Sequence, residues 1–324
     1  MPIIIQVVII VILVLTCFIT ALVTGYSARV IRAQIKETKT RLSVLKRDNK
    51  ESHSSQIKKL ESSLDRLENE LEEIEKPSLL PASSGNTPLS EKIRSAAPFI
   101  VMIIVGVILG AVLIVLVPII LLMVLFTIAT FVGSTGVFLE VTRNERKVLV
   151  LSAVPAVLYA VTQILNVMNL FEPVFWLFDS VVVLALIGVA MIIGKELPIE
   201  IVIIILAILS IWDIYAVLLS RIMVTAVVGL ENTLFSVQIP MGTGQLPALI
   251  GGGDLFFSYL LVTAFTRKLK EIPYALIGLI AASISGLTVI MYVIGLEFAP
   301  ALPSVLIAAL LSTVFYRGRL TKSA

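Results

Sequence analysis

Two carboxylic acids stand in stretches that are otherwise apolar: Asp213 in "AILSIWDIYAVLL" and Asp254 in "LIGGGDLFFSYLL". An Asp at the centre of a membrane helix costs about 2.5–3.5 kcal/mol on insertion scales, so it usually faces the protein interior and marks a function. Two such residues can make an ion path, a structural hydrogen-bond pair or a hydrolytic dyad. As a dyad their chemistry follows from proximity. Two carboxyls a few ångströms apart do not both ionise cheaply, so they share one proton and titrate as a unit. The ionised member takes a proton from a water while the protonated member polarises the scissile carbonyl. Peptide hydrolysis by that route needs no His, metal or nucleophilic Ser.

The rest of the composition narrows the field. His53 is the sole histidine and sits in a charged, polar stretch. An intramembrane Ser–His protease and an H-E-x-x-H zinc protease both lack their histidine here. Cys17 is the sole cysteine, which excludes an intrachain disulfide and a Cys-rich metal site. No metal or cofactor is expected. The formal net charge of +3 does not point to nucleic acid, because Lys and Arg sit between apolar runs and in one polar insert. They read as topology signals. Asp179 falls near the outer end of an apolar run, where an acid reaches water or a helix N-terminus, and is not expected to be catalytic.

The elements that carry the two aspartates are membrane spans. The chain is 58% hydrophobic over 324 residues, with long apolar runs, which is the composition of a polytopic membrane protein. With about 20 apolar residues per span, transmembrane helices are expected near 3–25, 98–117, 119–138, 148–169, 174–193, 199–219, 245–265, 274–294 and 300–316. The first is too long for a signal-peptide core, lacks a basic leader and reads as retained. Pro118 separates the second span from the third. Arg143, Arg146, Lys147, Lys195, Arg267, Lys268, Lys270, Arg317, Arg319 and Lys322 all follow odd-numbered spans, against Arg221 after an even one. The positive-inside rule then places the N-terminus outside and the C-terminus in the cytoplasm. Span six puts Asp213 about 21 Å from the cytoplasmic face, and a helix starting at Gln245 puts Asp254 about 13 Å below the outer face. In a core about 30 Å thick the two carboxyls can meet.

The chain divides into a first transmembrane helix at 1–25, a soluble insert at 26–97 and a membrane core at 98–324. In the insert, Ile57, Leu60, Leu64, Leu67, Leu71 and Ile74 step by three and four, an a/d seam. A weaker seam, Ile31, Ile35, Thr38, Leu42 and Leu45, precedes it. Both ends of the insert return to one membrane face, so an antiparallel helical hairpin is expected. "KPSLLPASSGNTPLS" serves as its flexible return linker.

These residues together resemble the presenilin and signal peptide peptidase family of intramembrane aspartyl proteases. Trp212-Asp213 looks like the family's aromatic-Asp motif, with Trp in place of the usual Tyr. Gly251-Gly252-Gly253-Asp254 matches G-x-G-D, and Pro300-Ala301-Leu302 matches P-A-L at the start of span nine. A second P-A-L, Pro247-Ala248-Leu249, reads as the start of the Asp254 helix, Pro247 occupying a first-turn position that needs no donor. The resemblance covers residues 98–324 and the first helix. It implies an all-α membrane fold of nine helices with catalytic spans 199–219, 245–265 and 300–316. It further implies that Asp213 and Asp254 are catalytic. Trp212, Gly251, Gly253, Pro300, Ala301 and Leu302 would support the site or bind substrate, and part of the loop after span six would pair with unwound substrate as an added strand. The insert is not part of the family pattern. The charge pattern sets that loop outside, as in signal peptide peptidase and opposite to presenilin.

The expected function is therefore an intramembrane aspartyl endopeptidase that cuts single-span helices or signal-peptide remnants of type II orientation. A prokaryotic cell membrane is its expected setting. Its partners are transmembrane peptides and the bilayer, with self-association or partner docking through 27–76. Two alternatives stand beside it. A prepilin or preflagellin peptidase also uses a G-x-G-D aspartate but carries a Lys soon after it, where this chain has Leu255-Phe256-Phe257. A proton- or cation-coupled transporter would use Asp213 and Asp254 as ion ligands.

Overall fold

The structure is a computed structural model that describes residues 2–47, 54–75, 94, 97–98, 100–101, 103–106, 119–142, 144–168, 175–219, 236–239, 248–294 and 300–320. Its order is α1 (Pro2–Val23), α2 (Tyr26–Arg47), α3 (Ser54–Glu75), α4 (Ile119–Val141), α5 (Glu145–Val167), α6 (Phe175–Glu196) and α7 (Ile199–Ile214). A π-helical turn (Tyr215–Leu219) extends α7 and is followed by β1 (Ser236–Ile239) and β2 (Ala248–Gly251). The chain then forms α8 (Gly252–Leu269), α9 (Tyr274–Val293), α10 (Leu302–Phe315) and the single turn α11 (Arg317–Leu320). Helices suit such apolar runs because each satisfies its backbone donors and acceptors internally, as a bilayer demands. Among the described residues, 5 helices are long and apolar enough to cross a membrane, or up to 6 with the α1–α2 pair taken as one bent span. This is an all-α, multi-pass membrane architecture, interrupted only by a two-stranded sheet among the described residues.

Three sequence expectations change here. The seventh span does not begin at Gln245: Ala248–Gly251 is strand, and α8 starts at Gly252. Ala248-Leu249 is thus no helix start, and Pro247 lies outside the described residues. The last span is short, a helix of 14 residues. Asp179 does not open to water; it is 5% exposed inside the bundle. His53, Arg143, Pro118, the rest of the junction at 107–118 and the linker after Lys76 fall outside the described residues.

The core centres on α6 and α8. Nearly every α8 side chain from Leu255 to Thr266 is buried, and α8 packs against α6, α1, α7 and α10. The other face of α6 meets α4 along glycines. A Cβ on Gly188 would fall on the Gly133 carbonyl, and one on Gly136 would meet Ile192 Cγ1 at 2.8 Å. Only hydrogen at those positions lets the helices approach so closely.

One end of the bundle gathers charge. Glu140, at the end of α4, pairs with Lys195 at the end of α6, and Arg319 pairs with Glu271 before α9. The Tyr316 hydroxyl accepts the Ala275 N–H at 3.1 Å and its ring lies 6.2 Å from Phe265. At this end α1 stops at Gly25, whose φ of 67° ends the helix in the left-handed region. The chain bends by 50° into α2. Ser27 Oγ then donates to the Glu140 carbonyl at 2.7 Å, anchoring the base of α2. Beyond it, Lys39–Glu68 and Lys46–Glu61, each at 2.8 Å, pair α2 with α3 in antiparallel sense. Ile57, Leu60, Leu64, Leu67 and Leu71 are half-buried.

Candidate active site

Three element ends build the site. Pro198 is extended and caps α7, and the helix runs from there without interruption to Asp213. Asp213 lies in the last α-turn before the switch to π geometry at Tyr215, an irregularity often found at functional positions. Asp213 and Trp212 are both half-buried, and the Trp212 ring tilts against Tyr215 at 5.8 Å. The neighbouring Ile205, Leu206 and Leu209 are fully enclosed, so the helix is fixed below its carboxyl.

Asp254 arrives by a different route. β1 and β2 pair antiparallel with Ser236 opposite Gly251 and Ile239 opposite Ala248. β1 packs on α6, which seats the hairpin over the core helix. At Gly251 the extended strand becomes the N-cap of α8, and Asp254 occupies the first turn. A Cβ on Gly251 would stand 2.9 Å from Asp254 Oδ2, so this glycine makes room for the carboxyl itself. Gly253 has nothing within 4 Å of its own Cβ position. Of the two motif glycines, one has a steric reason in the structure.

The third end is that of α10. Pro300 and Ala301 are buried, Ala301 caps the helix, and Pro303 fills a first-turn position where no N–H is needed. The first N–H groups of a helix have no partner within it. Leu302 directs its own to Asp213 Oδ2 at 3.1 Å. α7, α8 and α10 pack on one another, and the Asp213 and Asp254 carboxyls lie close enough for one charge to act on the other.

Depth can now be counted from one end for both acids. Asp213 is about 21 Å along α7 from Ile199, and Asp254 about 22 Å from Leu269 at the matching end of α8. The agreement does not need the helical start at Gln245 that the sequence invited.

The structure therefore brings together Asp213, Asp254, Gly251 and Leu302, with Trp212, Pro300 and Ala301 flanking them and Gly253 beside Asp254 in open space. Sequence reasoning missed the Leu302 N–H and the strand before Asp254. A cluster on α5 and α6 was also missed: Tyr159 stacks on Phe178 at 5.3 Å beside Asp179, and the 2% exposed Gln163 is close by in sequence to Tyr159. In comparison with known proteins, no family model and no curated protein matches this chain.

Proposed function

We propose that this protein is an intramembrane aspartyl endopeptidase of the presenilin and signal peptide peptidase type, with Asp213 and Asp254 as its dyad. The observation that carries the reading is the convergence of two intramembrane carboxyls from separate helices on one depth, with a helix N-terminus donating to one of them. A transporter needs ligands for an ion; a peptidase needs this shared proton, a water and space for an extended chain. The β1–β2 hairpin supports the last requirement. A two-stranded sheet leaves edge groups that an unwound substrate can pair with as an added strand, directly before Asp254.

In this reading nine helices cross the membrane, with α8 and α10 as short spans completed by extended chain. The charged end of the bundle faces the cytoplasm. Substrates are single-span helices that must unwind to reach the dyad. The α2–α3 hairpin stands off the charged end as an arm for self-association or a partner.

The test is cleavage of a labelled transmembrane peptide by the purified full chain in detergent, beside Asp213→Asn and Asp254→Asn. Cleavage by wild type and none by either variant is expected. Full activity in a single variant would remove that residue from the dyad. Absence of cleavage, with a proton or cation flux in vesicles that either change abolishes, would establish the transporter instead.

A further inference from the structure

The two carboxyls are not equivalent, and the difference lies in a backbone group. Asp213 Oδ2 accepts the Leu302 N–H at 3.1 Å from the N-terminal turn of α10, where the helix dipole adds to the same effect. A hydrogen bond donated to a carboxylate stabilises its charged form. Asp254 also lies in a first turn, that of α8, but among the described residues no hydrogen bond reaches its carboxyl. A dipole felt without a hydrogen bond is the weaker influence.

α6, which packs on α8, carries the buried acid Asp179 and, at its far end, Lys195 and Glu196; a further acid on the Asp254 side works against ionising Asp254 and so in the same direction. The sequence of α10 from Leu302 to Phe315 holds no ionisable side chain. On α7, Glu200 lies at the opposite end from Asp213, and on α8 the cations Arg267 and Lys268 lie at the opposite end from Asp254. Across the site the Asp213 charge acts on Asp254.

Resting on the peptidase reading for its chemistry, we infer that Asp213 is the ionised base, that Asp254 carries the shared proton, and that the Leu302 amide is the positioning group that sets this order. Asp213 takes a proton from water as the water oxygen bonds to the scissile carbonyl carbon. The carbonyl oxygen takes the Asp254 proton, giving a gem-diol. Asp213 then returns its proton to the amide nitrogen, the C–N bond breaks, and one gem-diol hydroxyl gives its proton to Asp254. The products are a carboxylic acid and an amine, and the pair is back in its starting state.

Two reagents read this order without any cleavage. An aryl glycidyl epoxide is opened by a carboxylate, and a copper-activated diazoacetyl ester esterifies a protonated carboxyl with loss of nitrogen. Applied to the full chain near neutral pH with peptide mass mapping, the epoxide is expected on Asp213 over Asp254 by about tenfold, the span of a charge-assisted hydrogen bond. The diazo label is expected on Asp254. Replacing the Leu302 N–H by an ester oxygen, through the hydroxy-acid analogue of leucine, should bring the two sites near equal epoxide labelling. Leu302→Ala keeps the N–H and should label as wild type. Any other distribution on the native chain overturns the assignment. A shift in Leu302→Ala equal to that of the ester assigns the effect to packing and overturns the role of the amide. A chain that labels as expected yet cuts no peptide leaves the proton order standing and removes the peptidase.

Discussion

Gly251 and Gly253 flank Gly252 alike in the sequence but differ in what surrounds them. At Gly251 a methyl would sit 2.9 Å from Asp254 Oδ2, with no other neighbour than that carboxyl within 4 Å. Gly251→Ala should therefore move the Asp254 oxygen proposed as catalytic rather than the fold. A displacement of about 1 Å is worth about 100-fold in rate, so a loss of that order in kcat is expected, with thermal unfolding in detergent unchanged. Gly253→Ala enters open space inside a helix and should keep activity while gaining up to about 1 kcal/mol from helix propensity. Equal loss in both variants would mean that the glycines serve something other than room for Asp254. At this scale the sequence was legible in identity and silent in geometry. It marked Asp213 and Asp254 by type, because an acid in an apolar run is costly, and the residues around them only through a resemblance of motifs. It could not show that a backbone N–H of Leu302 reaches Asp213, since amides carry no signature in a sequence and the two residues meet only in the tertiary fold.

The elements show where local pattern fails. α7 with its π turn covers Ile199–Leu219, the range expected from apolar length alone. The strand Ala248–Gly251 is as apolar as a helix start, and a short apolar run fits strand and helix equally. What decides it is pairing with Ser236–Ile239, a partner beyond any local window. Close helix packing is equally invisible until the helices are placed. Gly188 and Gly133 let α6 and α4 meet backbone to backbone, whereas Gly278 and Gly286 on α9 have nothing within 4 Å. Gly188→Ala should cost about 1–3 kcal/mol, the range for overpacking a filled contact, and lower the unfolding midpoint accordingly. Gly286→Ala, made as the control, should hold or raise it. If the two variants unfold alike, the α4–α6 seam does not limit stability. Because α6 also carries α8 and β1, a loosened seam should lower activity together with stability, unlike Gly251→Ala.

For the whole molecule the decisive quantity is depth. The helix ends that bear Lys195, Arg267, Lys268 and Arg319 lie at one end of the bundle, joined by Glu140–Lys195, Glu271–Arg319 and Tyr316. The charge rule reads this end as cytoplasmic, and both carboxyls stand about 21–22 Å from it along their helices. On the proposed peptidase reading, a rigid bundle would work as a ruler, cutting at a fixed distance from the membrane face whatever residues are there. A substrate that stays helical up to the dyad should be cut about 14 residues from its cytoplasmic boundary. The measurement uses a series of membrane peptides with an arginine anchor at that boundary, cut in vesicles and mapped by mass spectrometry. Inserting three leucines between anchor and cut should shift the cleaved bond by about three residues toward the anchor in the parent sequence, because the distance to the anchor stays constant at about 1.5 Å per residue. If the same bond is cut in every peptide, side-chain recognition beside Asp213 and Asp254 selects it, and depth is not what positions the substrate.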